Sequence, residues 1–220
     1  MELSEEQRAT LLDTARRAIV EWLRGNFGYA VPPTEDPVLN MPCGCFVTLH
    51  ERRTHRLRGC IGRLQTADPL LKTVHETAQS ALQDPRFRYE PVTAEELPRL
   101  DIEISVLSPL TAAQGPLDFD PLNDGIYLLC NGRAGTFLPQ VARETGWGRE
   151  QLLSRLCTEK MGLAADAWRS ADAKLLTYRA VIVGPVPFVH AARTAPATVA
   201  PAPQPDSSGG FFGPNQEFKI

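Results

Sequence analysis

The sequence predicts an α+β fold with a mostly antiparallel sheet flanked by helices and a small satellite subdomain. Two observations support this class. Segments that alternate apolar and polar residues follow one another as hairpins, and segments with helical spacing are interspersed among them. The clearest hairpin signal is Asn131-Gly132, between strand-like residues 125–130 and 134–138. The chain has 220 residues, 43% of them hydrophobic, so it can bury one substantial core.

Two helices are predicted in the first half of the chain. The first covers residues 5–25, because Ser4 and a glutamine three residues later have the spacing of a capping box. Prolines predict a loop over residues 26–42. The second helix begins at Asp68-Pro69, read as an N-cap followed by a first-turn proline, and ends near residue 83.

Alternating patterns predict the strands, and apolar spacing predicts two later helices. The predicted strands are residues 45–50 and 56–61, which form a hairpin, then 100–107, the 125–138 hairpin, and a closing strand over 174–183. One of the later helices begins at Pro139, and the other covers residues 150–161.

The chain divides into a globular domain, residues 1–189, and a predicted disordered tail, residues 190–220. Alanine and proline dominate after His190, and such segments form extended spacers. The last ten residues contain three phenylalanines, so the tail has the form of a docking motif. The alternative is a terminus without a binding role.

The stretch Leu57-Arg58-Gly59-Cys60-Ile61-Gly62 carries the main site hypothesis. Its two glycines indicate positive φ or close approach of another chain or a ligand to the backbone. Arg58 lies on the same strand face as Cys60, and a guanidinium there would favour the thiolate. Cys60 is therefore a candidate catalytic or ligand-contacting thiol. The alternative is a small buried apolar residue in a strand that the glycines merely shape.

Three more residues are candidates for the same site. His75 lies on the helix that follows the Cys60 strand, which makes it a candidate general base, although an isolated helical histidine is also an ordinary surface residue. Asp84 and Arg86 are predicted to brace a turn. Alternatively, Arg86 holds a carboxylate or phosphate beside the thiol. The carboxylates of strand 100–107 are assigned to a solvated face.

A metal site is a weaker alternative. Cys43, Cys45 and Cys60 could together hold zinc or an iron-sulfur cluster, but only one residue separates the first two. The sequence also has no Gly-rich phosphate loop, zinc-protease helix or serine-triad signature. We therefore predict neither a metal nor another cofactor.

Composition excludes several classes of function. A net charge of −3 gives no basic face for nucleic acid, and no apolar run approaches the ~20 residues that span a membrane. The polar, acidic N-terminus does not resemble a secretory signal. An odd number of cysteines, five, argues for reduced thiols. We expect a cytoplasmic protein.

Several short blocks follow one another along the chain: Phe46-Val47-Thr48-Leu49, Leu57 to Gly62, Asp84-Pro85-Arg86-Phe87, Ile104-Ser105-Val106-Leu107, Leu138-Pro139-Gln140-Val141, Gly146-Trp147, Leu156-Cys157 and Ala167-Trp168. In this order they resemble the AMMECR domain family, and the resemblance covers about residues 8–185. Similar bacterial and archaeal chains belong to the so-called AmmeMemoRadiSam system. That name implies action with a Memo-like protein, similar to metal-dependent aromatic-ring dioxygenases, and with a radical S-adenosylmethionine protein.

The leading hypothesis is therefore a protein that acts with these two partners and has Cys60 in a cleft. The resemblance implies the partners, and the residues suggest the thiol. An alternative of another class is a non-catalytic binding module whose Leu57 to Gly62 stretch is a recognition surface. No substrate or reaction is predicted.

Overall fold

The computed structural model describes residues 2–189 and the backbone of residues 217–219. The predicted α+β class is confirmed: the strands pair antiparallel in two sheets, and helices cover them. The helices are α1 (Glu5–Leu23), α2 (Leu70–Leu82), α3 (Pro139–Thr145) and α4 (Arg149–Arg155). The strands are β1 (Cys45–Glu51), β2 (Leu57–Arg63), β3 (Leu100–Leu107), β4 (Thr111–Ala112), β5 (Gly125–Cys130), β6 (Arg133–Phe137), β7 (Lys174–Tyr178), β8 (Ala180–Pro187) and β9 (Glu217–Lys219).

The first sheet has the strand order β8-β3-β1-β2-β9, and α1 and α2 pack together on one of its faces. The predicted capping box starts α1: Ser4 Oγ accepts from the Gln7 backbone N–H, and Gln7 Oε1 accepts from Ser4. Apolar side chains of both helices and of alternate strand positions form the largest core. Alternation along β1 sends Val47 to this core and Phe46 to the opposite face.

The second sheet, with the order β4-β7-β5-β6, is the predicted satellite subdomain and has its own core. Asn131 and Gly132 have positive φ, as the predicted hairpin turn between β5 and β6 requires. After α4 the chain continues as a π-helix over Leu156–Lys160. A third apolar cluster joins the two sheets and consists of Phe46, Cys60, Leu64, Leu107, Leu138 and Tyr178.

Two predictions about elements are corrected, and one strand falls within the predicted tail. Residues 174–183 form two strands, because the chain leaves the second sheet after Tyr178 and enters the first at Ala180. Asp68 does not cap α2; its N-cap is Pro69, and Asp68 instead pairs with Lys72. Within the predicted tail, Glu217–Lys219 pairs with β2 as its outer strand.

The rest of the predicted tail, residues 190–216 and 220, lies outside the described residues, as do the side chains of 217–219. The docking role predicted for Phe211, Phe212 and Phe218 therefore stays a prediction.

Candidate functional site

A row of polar side chains crosses the middle of the first sheet. Thr48 on β1 lies directly opposite Cys60 on β2 and opposite Glu103 on β3. Directly paired residues share a face, so the three side chains line up on the face turned toward the second sheet. Thr48 Oγ1 is 3.2 Å from Cys60 Sγ, and either atom can donate the hydrogen bond.

Gln140, from the first turn of α3, extends this row. A hydrogen bond joins its side chain to Glu103, and its Nε2 also donates to Ser105 Oγ at 3.5 Å. Its Oε1 is buried and has no partner among the described residues. Burial and then repulsion by Glu144 raise the pKa of Glu103. The row therefore contains a carboxyl that resists ionisation beside an unsatisfied acceptor.

Cys60 is a buried, neutral thiol. It is only 4% exposed, and burial raises its pKa although Thr48 and the nearby Arg86 act in the opposite direction. The role predicted for Arg58 is corrected: its guanidinium donates to both carboxylate oxygens of Glu96 at 2.9 Å. A strong bidentate partner holds this arginine away from the thiol.

The predicted brace between Asp84 and Arg86 is confirmed, and it also holds Cys60. Arg86 Nη2 donates to Asp84 Oδ2 at 2.7 Å and to the Cys60 carbonyl at 3.0 Å. The Cys60 N–H donates to Asp84 Oδ2 at 3.0 Å. Burial acts to raise the pKa of Asp84, but these hydrogen bonds outweigh it and hold the pKa below its usual value. The pair thus replaces a neighbouring strand at the outer edge of β2 beside Cys60.

A second positively charged residue, Lys160, belongs to the subdomain of the second sheet. Lys160, at the end of the π-helix, has its Nζ 5.7 Å from the centre of the Phe137 ring. Burial and repulsion by Arg86 lower the pKa of Lys160, whereas Cys60 and Glu159 act to raise it. Lys160 is an exposed residue, and its charge interacts with those of Arg86 and Cys60.

Gly59 and Gly62 both permit close approach, as one of the two predicted alternatives required. A Cβ at Gly59 would collide with the carbonyl of Ala81 on α2, and one at Gly62 would collide with the Phe46 ring. Neither glycine has positive φ. The groups that approach the two glycines are therefore the backbone of α2 and the Phe46 ring, both from the same chain.

His75 does not join this site. Gly59 faces α2, so its neighbour Cys60 points away from α2 on the opposite face of the sheet. His75 belongs to α2, where it is buried beside Tyr29. The sheet therefore separates this histidine from the thiol, and its predicted role as a base for Cys60 is corrected.

The metal alternative meets the same geometric obstacle. Cys43 and Cys45 lie in the helix-side core, whereas Cys60 lies in the cluster between the sheets. Within residues 2–189, no group of three or more His, Cys, Asp or Glu side chains is arranged to hold a metal ion. All five cysteines are free thiols.

Sequence reasoning missed Thr48, Gln140 and Lys160 and assigned Glu103 to solvent. A threonine in the middle of the apolar run 45–49 is a signal that could have identified Thr48. No local pattern marks Gln140 or Lys160, because they join the site only when the subdomain of the second sheet packs on the first sheet.

Fold and site together define an α+β class in which two antiparallel sheets meet over a buried thiol. The chain is similar to the crystal structure of uncharacterized protein PH0010 from Pyrococcus horikoshii, with a TM-score of 0.69 and 36% identity. The match covers 78% of this chain and 88% of that one.

The AMMECR1 family model matches residues 12–183, and the chain belongs to this family. It is 37% identical to a protein of Methanothermobacter thermautotrophicus over 187 residues, covering 82% of this chain and 95% of that one. It is also 37% identical to a protein of Thermococcus gammatolerans, covering 82% and 91%. In the part that the structure describes, no helix is long and apolar enough to cross a membrane.

Proposed function

We propose that this AMMECR1-family protein acts in the cytoplasm with a Memo-like protein and a radical S-adenosylmethionine protein. The family resemblance supports these partners. We further propose that the inter-sheet site, defined as Thr48, Cys60, Arg86, Glu103, Gln140 and Lys160, binds a small ligand with an anionic group. Cys60 contacts that ligand as a neutral thiol.

The observation that carries the ligand proposal is the in-register row of Cys60, Thr48 and Glu103 between two sheets. Burying polar groups costs free energy unless each is paired, and Gln140 Oε1 is unpaired among the described residues. A carboxyl with a raised pKa beside such a group is typical of a binding site rather than a structural core.

The charges beside the row favour an anionic group. Arg86 and Lys160 lie close enough for the arginine to lower the pKa of the lysine. Asp84 already pairs with Arg86, so Lys160 supplies the attraction for an anion, which would offset the repulsion that lowers its pKa. Gln140 Oε1 and the Thr48 hydroxyl would then bind the polar, uncharged part of the ligand.

Native mass spectrometry of the protein purified from its own cells tests the ligand proposal. We expect a bound small molecule in the wild type and in Lys174→Gln, an exposed lysine of β7 that serves as the control. Lys160→Gln should lose it. A wild-type protein free of ligand, or equal retention by both variants, would contradict the proposal.

The state of Cys60 is tested by iodoacetamide labelling across a pH series, read by peptide mass spectrometry. Because both thiols are buried and burial raises both pKa values, Cys60 should label no faster than Cys130 at neutral pH. Thr48→Val removes the hydrogen bond that lowers the pKa and should slow labelling further, whereas Thr48→Ser should not. Faster labelling of Cys60 than of Cys130 at pH 7 would instead indicate a nucleophilic thiolate.

The partner proposal is tested separately by affinity purification under anaerobic, reducing conditions. We expect a Memo-like or radical S-adenosylmethionine protein of the same cell to be recovered with the full chain. Recovery of neither would refute the proposed partners and leave the ligand experiment unaffected.

A further inference from the structure

A cavity of about 500 Å³ lies beside α2, on the side of the first sheet away from Cys60. It is bounded by α2 and by the loop that follows α1. Its walls are mostly apolar and aromatic and include Phe27, Tyr29, Val31, Pro32, Pro33 and Leu71. This volume and lining are within the range of small-molecule sites.

His75 brings an unsatisfied acceptor to this cavity. The residue lines the cavity, is 6% exposed, and its Nδ1 is buried without a partner among the described residues. The imidazole also donates a hydrogen bond to the Tyr29 backbone. Because Nδ1 has no partner among the described residues, we assign this donor to Nε2. Burial lowers the pKa of His75, so the ring is neutral and Nδ1 accepts.

Gln79 brings an unsatisfied donor to the same wall. It lies four residues after His75, one turn along α2, and positions with this spacing share a helix face. Its Nε2 is likewise buried without a partner in the described structure. The wall therefore presents an acceptor and a donor next to each other.

The charged residues of the wall are already paired with one another or with neighbours. Lys72 Nζ lies 2.7 Å from Asp68 Oδ1, and Glu76 Oε2 accepts from Arg63 at 2.6 Å. Because these charges are balanced, the cavity favours a neutral ligand. Phe27, 63% exposed at the cavity wall, offers a ring surface for packing.

We propose that this cavity binds a neutral, planar aromatic heterocycle through a lactam edge. The ligand N–H donates to His75 Nδ1, its adjacent carbonyl accepts from Gln79 Nε2, and its ring packs on Phe27 and Pro32. This site is independent of the inter-sheet site, because the first sheet lies between them.

Isothermal titration of the full chain with 2-quinolone and with 1-methyl-2-quinolone tests the proposal. The two probes share ring and carbonyl, but only the first has the lactam N–H. We expect 2-quinolone to bind one to one, and loss of one buried hydrogen bond to weaken the methylated probe by about tenfold. His75→Phe and Gln79→Leu should each weaken 2-quinolone to a similar extent.

Matched controls separate a local effect from a general one. His50→Phe, on the other face of the sheet, and Gln83→Leu, exposed after α2, should leave binding unchanged. No saturable binding of 2-quinolone, equal affinity for both probes, or equal loss in the control variants would overturn the proposal. If His75→Phe does not fold, the probe pair on the wild type and Gln79→Leu still decide the question.

Discussion

The two faces of the first sheet bury different chemistry although they share the same strands. On the helix side, β1 presents Cys45, Val47 and Leu49 to an apolar core. On the other side it presents Phe46 and Thr48, and the pairing strands add Cys60 and Glu103. A polar row on a buried face costs stability that the apolar face does not. The helix side is therefore built for stability, and the side toward the second sheet retains groups suited to binding.

The two thiols illustrate the difference. Complete burial raises the pKa of Cys45 to about 12, although Thr77 and the Arg63 charge act in the opposite direction. Burial also raises the pKa of Cys60, against Thr48 and the Arg86 charge. The two differ in geometry: Cys60 Sγ lies 3.2 Å from the Thr48 hydroxyl, whereas the Thr77 hydroxyl has no hydrogen-bond partner among the described residues. Of these two thiols, Cys60 therefore shares its face with hydrogen-bonded polar groups.

The largest expected effect is the contrast between adjacent residues of β1. Leu49→Ala on the helix side should lower the free energy of unfolding by about 2–5 kcal/mol, because it leaves a cavity in a fully buried position. Thr48→Val on the opposite face should cost about 1 kcal/mol, the usual value of one hydrogen bond. Urea denaturation of both variants measures the difference, and equal losses would refute the proposed division between the faces.

A second contrast tests how tightly α2 contacts the sheet. Gly59→Ala should destabilise the fold by about 1–3 kcal/mol, because the new methyl group meets the backbone of Ala81, which cannot rotate away. Gly115→Ala is the control, since nothing lies within 4 Å of the added carbon. The comparison requires only thermal or urea unfolding, and a neutral Gly59→Ala would mean that α2 can move outward freely.

The pH dependence of stability tests the polar face directly. Since the pKa of Glu103 is raised in the folded state, the folded protein binds more protons between the unfolded and folded values. The contribution of protonated Glu103 is present below the unfolded pKa and is lost as pH rises through the folded pKa. Glu103→Gln, which stays neutral, should therefore be more stable than the wild type at neutral pH and should lose this advantage toward pH 4. A pH-independent difference between the two proteins would contradict this account.

The smallest expected effect concerns the outer edge of β2. A chain ending at residue 216 lacks β9, and we expect its melting temperature to fall by no more than about 4 °C, equivalent to ~1 kcal/mol. N–H groups two residues apart on a strand point to the same side. The Cys60 N–H points outward to Asp84, so the Gly62 N–H also points outward, toward β9. Hydrogen exchange at Gly62 should accelerate in the shortened chain, while Cys60 stays protected. Unchanged exchange at Gly62 would show that β9 does not protect this edge.

Much of the fold could be predicted because its signals are local. The Ser4 capping box, the alternation of residues 100–107 and the Asn131-Gly132 turn each depend on neighbours in sequence, and the structure has all three elements. The closing segment was misassigned because its alternating pattern continues through Arg179, where the chain changes sheets. A hydrophobic pattern records burial but not which sheet covers it.

The candidate site could be predicted only in part, for the same reason. The sequence by itself determined that Cys60 lies on a strand between glycines and that Asp84 pairs with Arg86, because strand alternation and turn chemistry act over a few residues. Tertiary structure alone decided that Arg58 pairs with Glu96, that His75 lies behind the sheet, and that Gln140 and Lys160 join the inter-sheet site. Those contacts join residues far apart in the chain. Their partners are selected by how the two sheets and their helices pack together, and no local pattern encodes that packing.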